Sequence, residues 1–189
     1  MLTATYSIIA IAAEQDKARH MLGRLQQHME NAWKGMQRLD FATLDATFNR
    51  LMHFEHFCRS RKIERYVMPT LRRFGRDAEV LVADLESLGS KATGILRAVG
   101  EQLSAAFDHG LARAGELCNS MELYCRHVST RLDREERELL PMARHLLTVE
   151  DWFGIAAQSL SETSRQWKVR QPRTGLPSMH ADRSSANYH

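Results

Sequence analysis

Two stretches of this chain end in the same way, and that repetition limits its fold more than any other feature. Residues 59–71 read RSRKIERYVMPTL and residues 131–143 read RLDREERELLPMA. Aligned, they share an arginine (Arg59, Arg131), a Glu-Arg pair (Glu64-Arg65, Glu136-Arg137) and a proline (Pro69, Pro141). Each arginine stands ten residues ahead of its proline, and apolar residues fill the last turn. Two helices that end alike imply two related helical hairpins. In a four-helix bundle, side chains at matching depth are where such folds hold a pair of metal ions.

The rest of the chain is periodic in the helical sense. Over about residues 5–33, Ile8, Ile11, Ala12, Gln15, Ala18, Arg19, Leu22, Leu25 and Met29 recur at three- and four-residue spacing, with Gly35 as a stop. Asp40 can cap a second helix with an inner face of Phe41, Leu44, Phe48, Leu51, Met52, Glu55, Arg59, Ile63 and Tyr66. Pro69 bends or ends it, and Phe74-Gly75 closes the hairpin. A third helix starts near Asp77 and stops at Gly100 or Phe107. A fourth covers roughly residues 109–146, with Leu117, Met121, Tyr124, Val128, Arg131 and Glu135 inward. Thr148 to Asp151 has the pattern of a capping box, opening a short fifth helix. Beyond residue 160 the chain is polar, holds two of the four prolines and has no sustained period. The expected architecture is all-α: an up-down antiparallel four-helix bundle over residues 1–160, then a flexible polar tail over 161–189.

Composition narrows the function classes. A net charge of +3, with basic and acidic residues interspersed, describes solvated helix faces and argues against a nucleic-acid partner. Three cysteines, Cys58, Cys118 and Cys125, are an odd count without a CxxC pair, which suits a reduced cytoplasmic protein. No apolar run approaches the ~18–20 residues of a membrane span. The apolar run of residues 8–13 lacks a basic flank, so a signal peptide is not expected. There is no phosphate-binding loop, Ser/His/Asp arrangement or paired-acid pattern, so a non-enzymatic role is expected. A protein partner or self-association stays open, and no small ligand is indicated.

Glu14-Gln15 with Leu22, the two proline-terminated segments, and LLPMARHLLTVEDW over residues 139–152 together resemble the hemerythrin-like (HHE cation-binding) domain family. The resemblance covers about residues 8–160 and implies a bundle with a non-haem di-iron centre. It also implies a role in oxygen, nitric oxide or iron handling. Carried over position by position, the family's histidines fall on Gln15 in the first helix, on Arg59 and Ser60 in the second, near Gly89 in the third and on Arg131 in the fourth. The second-helix glutamate falls on Ile63, with Glu64 one place late, while the fourth-helix glutamate is kept as Glu135.

One carboxylate without imidazoles is a poor iron or zinc site, because several donors together set affinity and geometry. The two arginines suggest what replaces the metal. Glu55 precedes Arg59 by four residues and Glu135 follows Arg131 by four, so each pair shares a helix face. The expectation is an inward quartet of Glu55, Arg59, Arg131 and Glu135, with guanidinium forks bridging carboxylates and no cofactor. The bland alternative closes a dry core with Ile63 and sends the arginines to solvent. A further alternative places displaced non-haem iron, or a haem, between His56 and His127, which lie one turn N-terminal of Arg59 and Arg131. The remaining histidines, including His28 and His53, match no ligand spacing and read as surface residues.

Overall fold

The computed structural model describes residues 2–34, 41–109 and 114–170. All elements among them are helical: α1 (Leu2–Lys34), α2 (Phe41–Ser60), a π-helical segment (Ile63–Val67), α3 (Met68–Leu71), α4 (Arg76–His109), α5 (Ala114–Arg134), a second π-helical segment (Glu135–Leu139), α6 (Leu140–Leu146) and α7 (Val149–Arg170). No strand occurs among the described residues. No helix among them is long and apolar enough to cross a membrane. The positions expected to stop α1 and cap α2, Gly35 and Asp40, lie outside the described residues, as do residues 171–189.

The sequence repeat becomes a repeat of local structure. Met68 N–H bonds to Ile63 O and Leu140 N–H to Glu135 O, so one wide π turn precedes each proline. A proline inside an α-helix lacks its N–H and clashes with the carbonyl four residues back. A π bulge directly ahead of it relaxes that clash and lets the chain stay helical. Neither Pro69 nor Pro141 therefore ends its helix; each begins the first turn of the next one, α3 or α6.

Turn chemistry sets the remaining boundaries. Gly75 has φ 103°, a left-handed conformation that L side chains rarely adopt. It follows the hydrogen bond from Phe74 N–H to Leu71 O at 2.9 Å, and its own carbonyl accepts from Glu79 N–H at 3.1 Å. The chain thus leaves α3 and enters α4, whose first turn carries Asp77 and Glu79 near the positive end of the helix dipole. At α7, Thr148 Oγ1 accepts from Asp151 N–H at 3.2 Å while Asp151 accepts from Thr148 N–H at 3.0 Å. That reciprocal capping box is the one read from the sequence.

α4 continues through Gly100 to His109. The Phe48 ring packs on Gly100 so closely that a Cβ there would lie 3.0 Å from it. α7 is 22 residues long rather than short, and it continues ten residues past the expected start of a tail. Glu162 contributes to that end of the helix by accepting from Arg65 at 2.7 Å and from the Tyr66 hydroxyl.

Pair contacts fix the relative directions of the long helices. Glu14 bonds Lys62, just past α2, and His28 meets Thr47, so α1 and α2 run antiparallel. Thr93 meets Glu55 and Gly100 meets Phe48, so α2 and α4 do too. Asp84 pairs with Arg134 and Gly89 faces Arg131, which sets α4 against α5 in the same sense.

The core has two parts. One gathers Ala18, Leu22, Leu51, Phe54, Leu96, Met121, Tyr124 and Val128 with their neighbours. The other gathers Ile11, Ile63, Val67, Leu71, Val82, Leu85, Leu139, Ala143, Trp152 and Ile155. What separates them is polar.

Candidate functional site

On each long helix the buried positions follow alternating three- and four-residue steps, the spacing of a packed helix seam. α1 runs Ile11, Gln15, Ala18, Leu22, Leu25, Met29; α2 runs Leu44, Thr47, Leu51, Phe54, Cys58 and, one step beyond its end, Arg61. α4 runs Ala78, Val82, Leu85, then Gly89, then Ala92, Leu96, Val99, Leu103. α5 runs Leu117, Met121, Tyr124, Val128, Arg131 and reaches Glu135. Gln15, Arg61, Gly89 and the Arg131–Glu135 step interrupt the apolar seams at one level, between the two core halves.

Arg61 is the centre of that layer, with 2% of its surface exposed; Glu135 has 0% and Gln15 4%. The guanidinium grips Glu135 through both oxygens, Nη1 to Oε2 at 2.7 Å and Nη2 to Oε1 at 3.0 Å. Its Nε donates to Cys58 O at 3.2 Å, and Nη1 also donates to Gln15 Oε1. Gln15 in turn donates from Nε2 to Glu135 Oε2 at 3.0 Å. A planar fork is the side chain suited to this bidentate grip.

Arg131 completes the layer. It donates to Glu64 from Nη2. Its Nε lies 3.1 Å from Glu135 Oε1 as an ionic contact, with the N–H itself not aligned on an acceptor. Arg61 Nη2 stands 3.8 Å from Glu64. Two guanidinium groups therefore face two carboxylates, and the layer is charge-balanced, as burial of charge demands. Burial opposes the charge on Arg61, but the pull of Glu135 and the hydrogen bonds to it outweigh this and hold its pKa above the ordinary value. Burial raises the Glu64 carboxyl, with Arg131 opposing and the neighbouring Glu135 charge adding to it.

The expected quartet divides between this layer and its surroundings. Arg131 and Glu135 are in the layer. Arg59 is not: its side chain is 63% exposed and pairs with Glu55 at 3.0 Å. It belongs to a separate network in which Arg59 donates to Thr93 Oγ1 at 2.7 Å and the buried Tyr124 hydroxyl donates to Glu55 at 3.0 Å. The difference arises from helix phase. An inner face drawn through Glu55 and Arg59 is one residue out of step with the seam that holds Phe54 and Cys58. That seam then delivers Arg61 at the bend where α2 ends.

The other positions carried over from the resemblance are equally distinct. Ser60 is exposed and donates to Phe57 O at 2.8 Å. Ile63 is 1% exposed in the second core half, while Glu64 reaches the layer. Gly89 is where Arg131 fits, since a Cβ there would lie 2.3 Å from Nη1. His56 is exposed on α2 and His127 half-buried on α5. Among the described residues no three His, Cys, Asp or Glu side chains are gathered to share a metal ion, around these histidines or elsewhere.

The residues of the layer do not fit two iron ions. Every Glu135 oxygen already accepts from a guanidinium, the amide of Gln15 adds a donor, and a metal cation would meet two fixed positive charges. The thiols offer no alternative, because burial pushes both Cys58 and Cys125 up to about 12 and keeps them protonated. Arg61 is not among the residues the sequence singles out, and Glu64, one place late for the expected glutamate, is the carboxylate that reaches the layer in place of Ile63. The signal that identifies Arg61 is the seam Leu44, Thr47, Leu51, Phe54, Cys58, followed one step further. No family model, no curated protein and no solved structure matches this chain.

Proposed function

We propose that this chain is a hemerythrin-like up-down four-helix bundle of α1, α2, α4 and α5, in which guanidinium charge has taken the place of the metal pair. In this reading it acts as a binding or regulatory protein related to iron, oxygen or nitric oxide handling, not as an enzyme. The observation that carries it is the bidentate Arg61–Glu135 pair, buried at the level where the resemblance expects ligands. Antiparallel contacts between successive long helices, and matched π turns ahead of Pro69 and Pro141, support the two-hairpin ancestry.

A cation that the protein supplies permanently leaves the layer neutral without iron. Such a layer cannot bind oxygen at an open coordination position, so the family's sensing chemistry would pass to whatever this bundle docks. Metal analysis with an absorption spectrum of protein expressed in iron-rich medium tests the reading. The expected result is substoichiometric iron, no near-ultraviolet oxo-iron bands and no Soret band. Stoichiometric iron with oxo bands would overturn it in favour of a working metal site, and a Soret band in favour of a haem protein.

A further inference from the structure

Well away from the buried layer, α1 and α2 form an open groove whose basic side chains have no acidic counterpart. Arg24 and His28 line it from α1; Arg50 and His53 line it from α2. No Asp or Glu among the described residues lines it, and neither arginine has an ion-pair partner among them. Arg19, Arg65, Arg72 and Arg134 each pair with a carboxylate elsewhere on the surface. What sets Arg24 and Arg50 apart from exposed arginines that have no ion pair among the described residues, such as Arg137 and Arg144, is that they line one groove together. Burial, and then the Arg50 charge, lower the His28 pKa, so the fixed positive charge of the groove is that of Arg24 and Arg50. Cations converging without a counter-charge repel, and a shared anion turns that repulsion into attraction.

The floor of the groove is apolar. Met21 is half-buried and presents apolar surface to the groove, while Phe54 and Leu25 beneath the lining are buried in the core. Gln27 and Asn31 add neutral hydrogen-bonding groups along the α1 rim. His28 is held in place by contact of Nε2 with Thr47 Oγ1 at 3.4 Å. Convergent polar groups over an apolar floor are the usual make-up of a small-molecule site.

We propose that this groove binds an organic anion with an apolar body, its oxyanion head between Arg24 and Arg50 and its body against half-buried Met21. The head is a phosphate monoester or a carboxylate; the planar guanidinium fork recognises both. The proposal does not depend on the hemerythrin-like reading, since none of these residues belongs to the buried layer.

Titration of the full chain with phenyl phosphate, benzoate, inorganic phosphate and benzyl alcohol tests it, followed by calorimetry and by the ring-proton NMR signals of His28 and His53. Saturable binding of phenyl phosphate or benzoate that moves both histidine signals and weakens with salt is expected; the tighter of the two identifies the head group. Arg24→Gln and Arg50→Gln should each weaken binding roughly tenfold, with an unchanged melting temperature because both side chains are exposed. Absence of saturable binding by either aromatic anion overturns the proposal, as does binding that both substitutions leave intact. Equal affinity for inorganic phosphate and phenyl phosphate overturns the apolar-body assignment, and binding of benzyl alcohol as tight as benzoate overturns the role of the arginines.

Discussion

Gly89 of α4 faces the guanidinium of Arg131 of α5 so closely that a Cβ at position 89 would lie 2.3 Å from Nη1 and 3.2 Å from Cζ. The glycine sits in the middle of an otherwise side-chain-bearing seam, between Leu85 and Ala92. Its missing side chain is the space that Arg131 fills.

Gly89→Ala is therefore expected to destabilise. Relief of backbone entropy favours alanine in a helix by up to about 1 kcal/mol. Displacing a guanidinium tied to Glu64 costs about 1–3 kcal/mol, as overpacking does elsewhere. Gly94→Ala, in the same helix with nothing within 4 Å of its Cβ, should instead stabilise by about 0.4–1 kcal/mol. Urea unfolding of the two variants checks the contrast; equal shifts of the same sign would show that Arg131 does not occupy that space.

Breaking the Arg61–Glu135 pair from one side strands the other charge in the core. Arg61→Met should lose on the order of 3–5 kcal/mol, and Glu135→Met a comparable amount. The double variant Arg61→Met/Glu135→Met should recover most of the loss, because well-packed apolar residues commonly match a buried ion pair. A double-mutant cycle from denaturant midpoints measures the coupling, and additive losses would contradict the bridged geometry.

Glu64 makes the stability depend on pH in a definite direction. Its folded pKa is raised above the ordinary 4.5, first by burial. A raised carboxyl takes up its proton in the fold before it does so in the unfolded chain. Its contribution is therefore complete below the unfolded pKa and is lost as pH rises through the folded one. Relative to Glu64→Gln, the parent protein should gain stability as pH falls from neutral towards 4.5. Paired urea midpoints across that range read the difference; a gap that narrows on acidification has the wrong sign.

Imidazoles placed in the layer should create a metal site, and the position that matters in the second helix is 61. Gln15→His, Arg61→His and Arg131→His together leave Glu135 and Glu64 as carboxylates and remove both fixed cations. Cobalt uptake, followed by d–d absorption, should rise from near zero in the parent to about one ion per chain. A variant that folds but takes up no more cobalt than the parent would show that these side chains do not converge. The parent itself should keep its melting temperature in chelator.

Much of this protein was legible before its structure. The all-helical character follows from unbroken apolar periodicity, and the turn at Gly75 and the capping box at Thr148 follow from side-chain chemistry local to a few residues. Helical spacing alone places Gln15, Arg131 and Glu135 inward, because a long regular helix carries its phase from one end to the other. Nothing in the spacing marks Gly89; its packing role against Arg131 is a property of two helices together.

What only the tertiary structure decided is which second-helix arginine enters the core. Arg59 and Arg61 are equally charged and two residues apart, and either suits an inward stripe if the face is drawn one residue differently. The seam shared with α1, α4 and α5 selects Cys58 and hence Arg61, and the bend and wide turn that follow rotate Glu64 towards Arg131 while Ile63 enters the second core half. Local spacing sets which residues share a face; it does not set which face is buried. That choice is made by the packing of neighbouring helices, because the free energy of burying a face exists only once there is another surface to cover it.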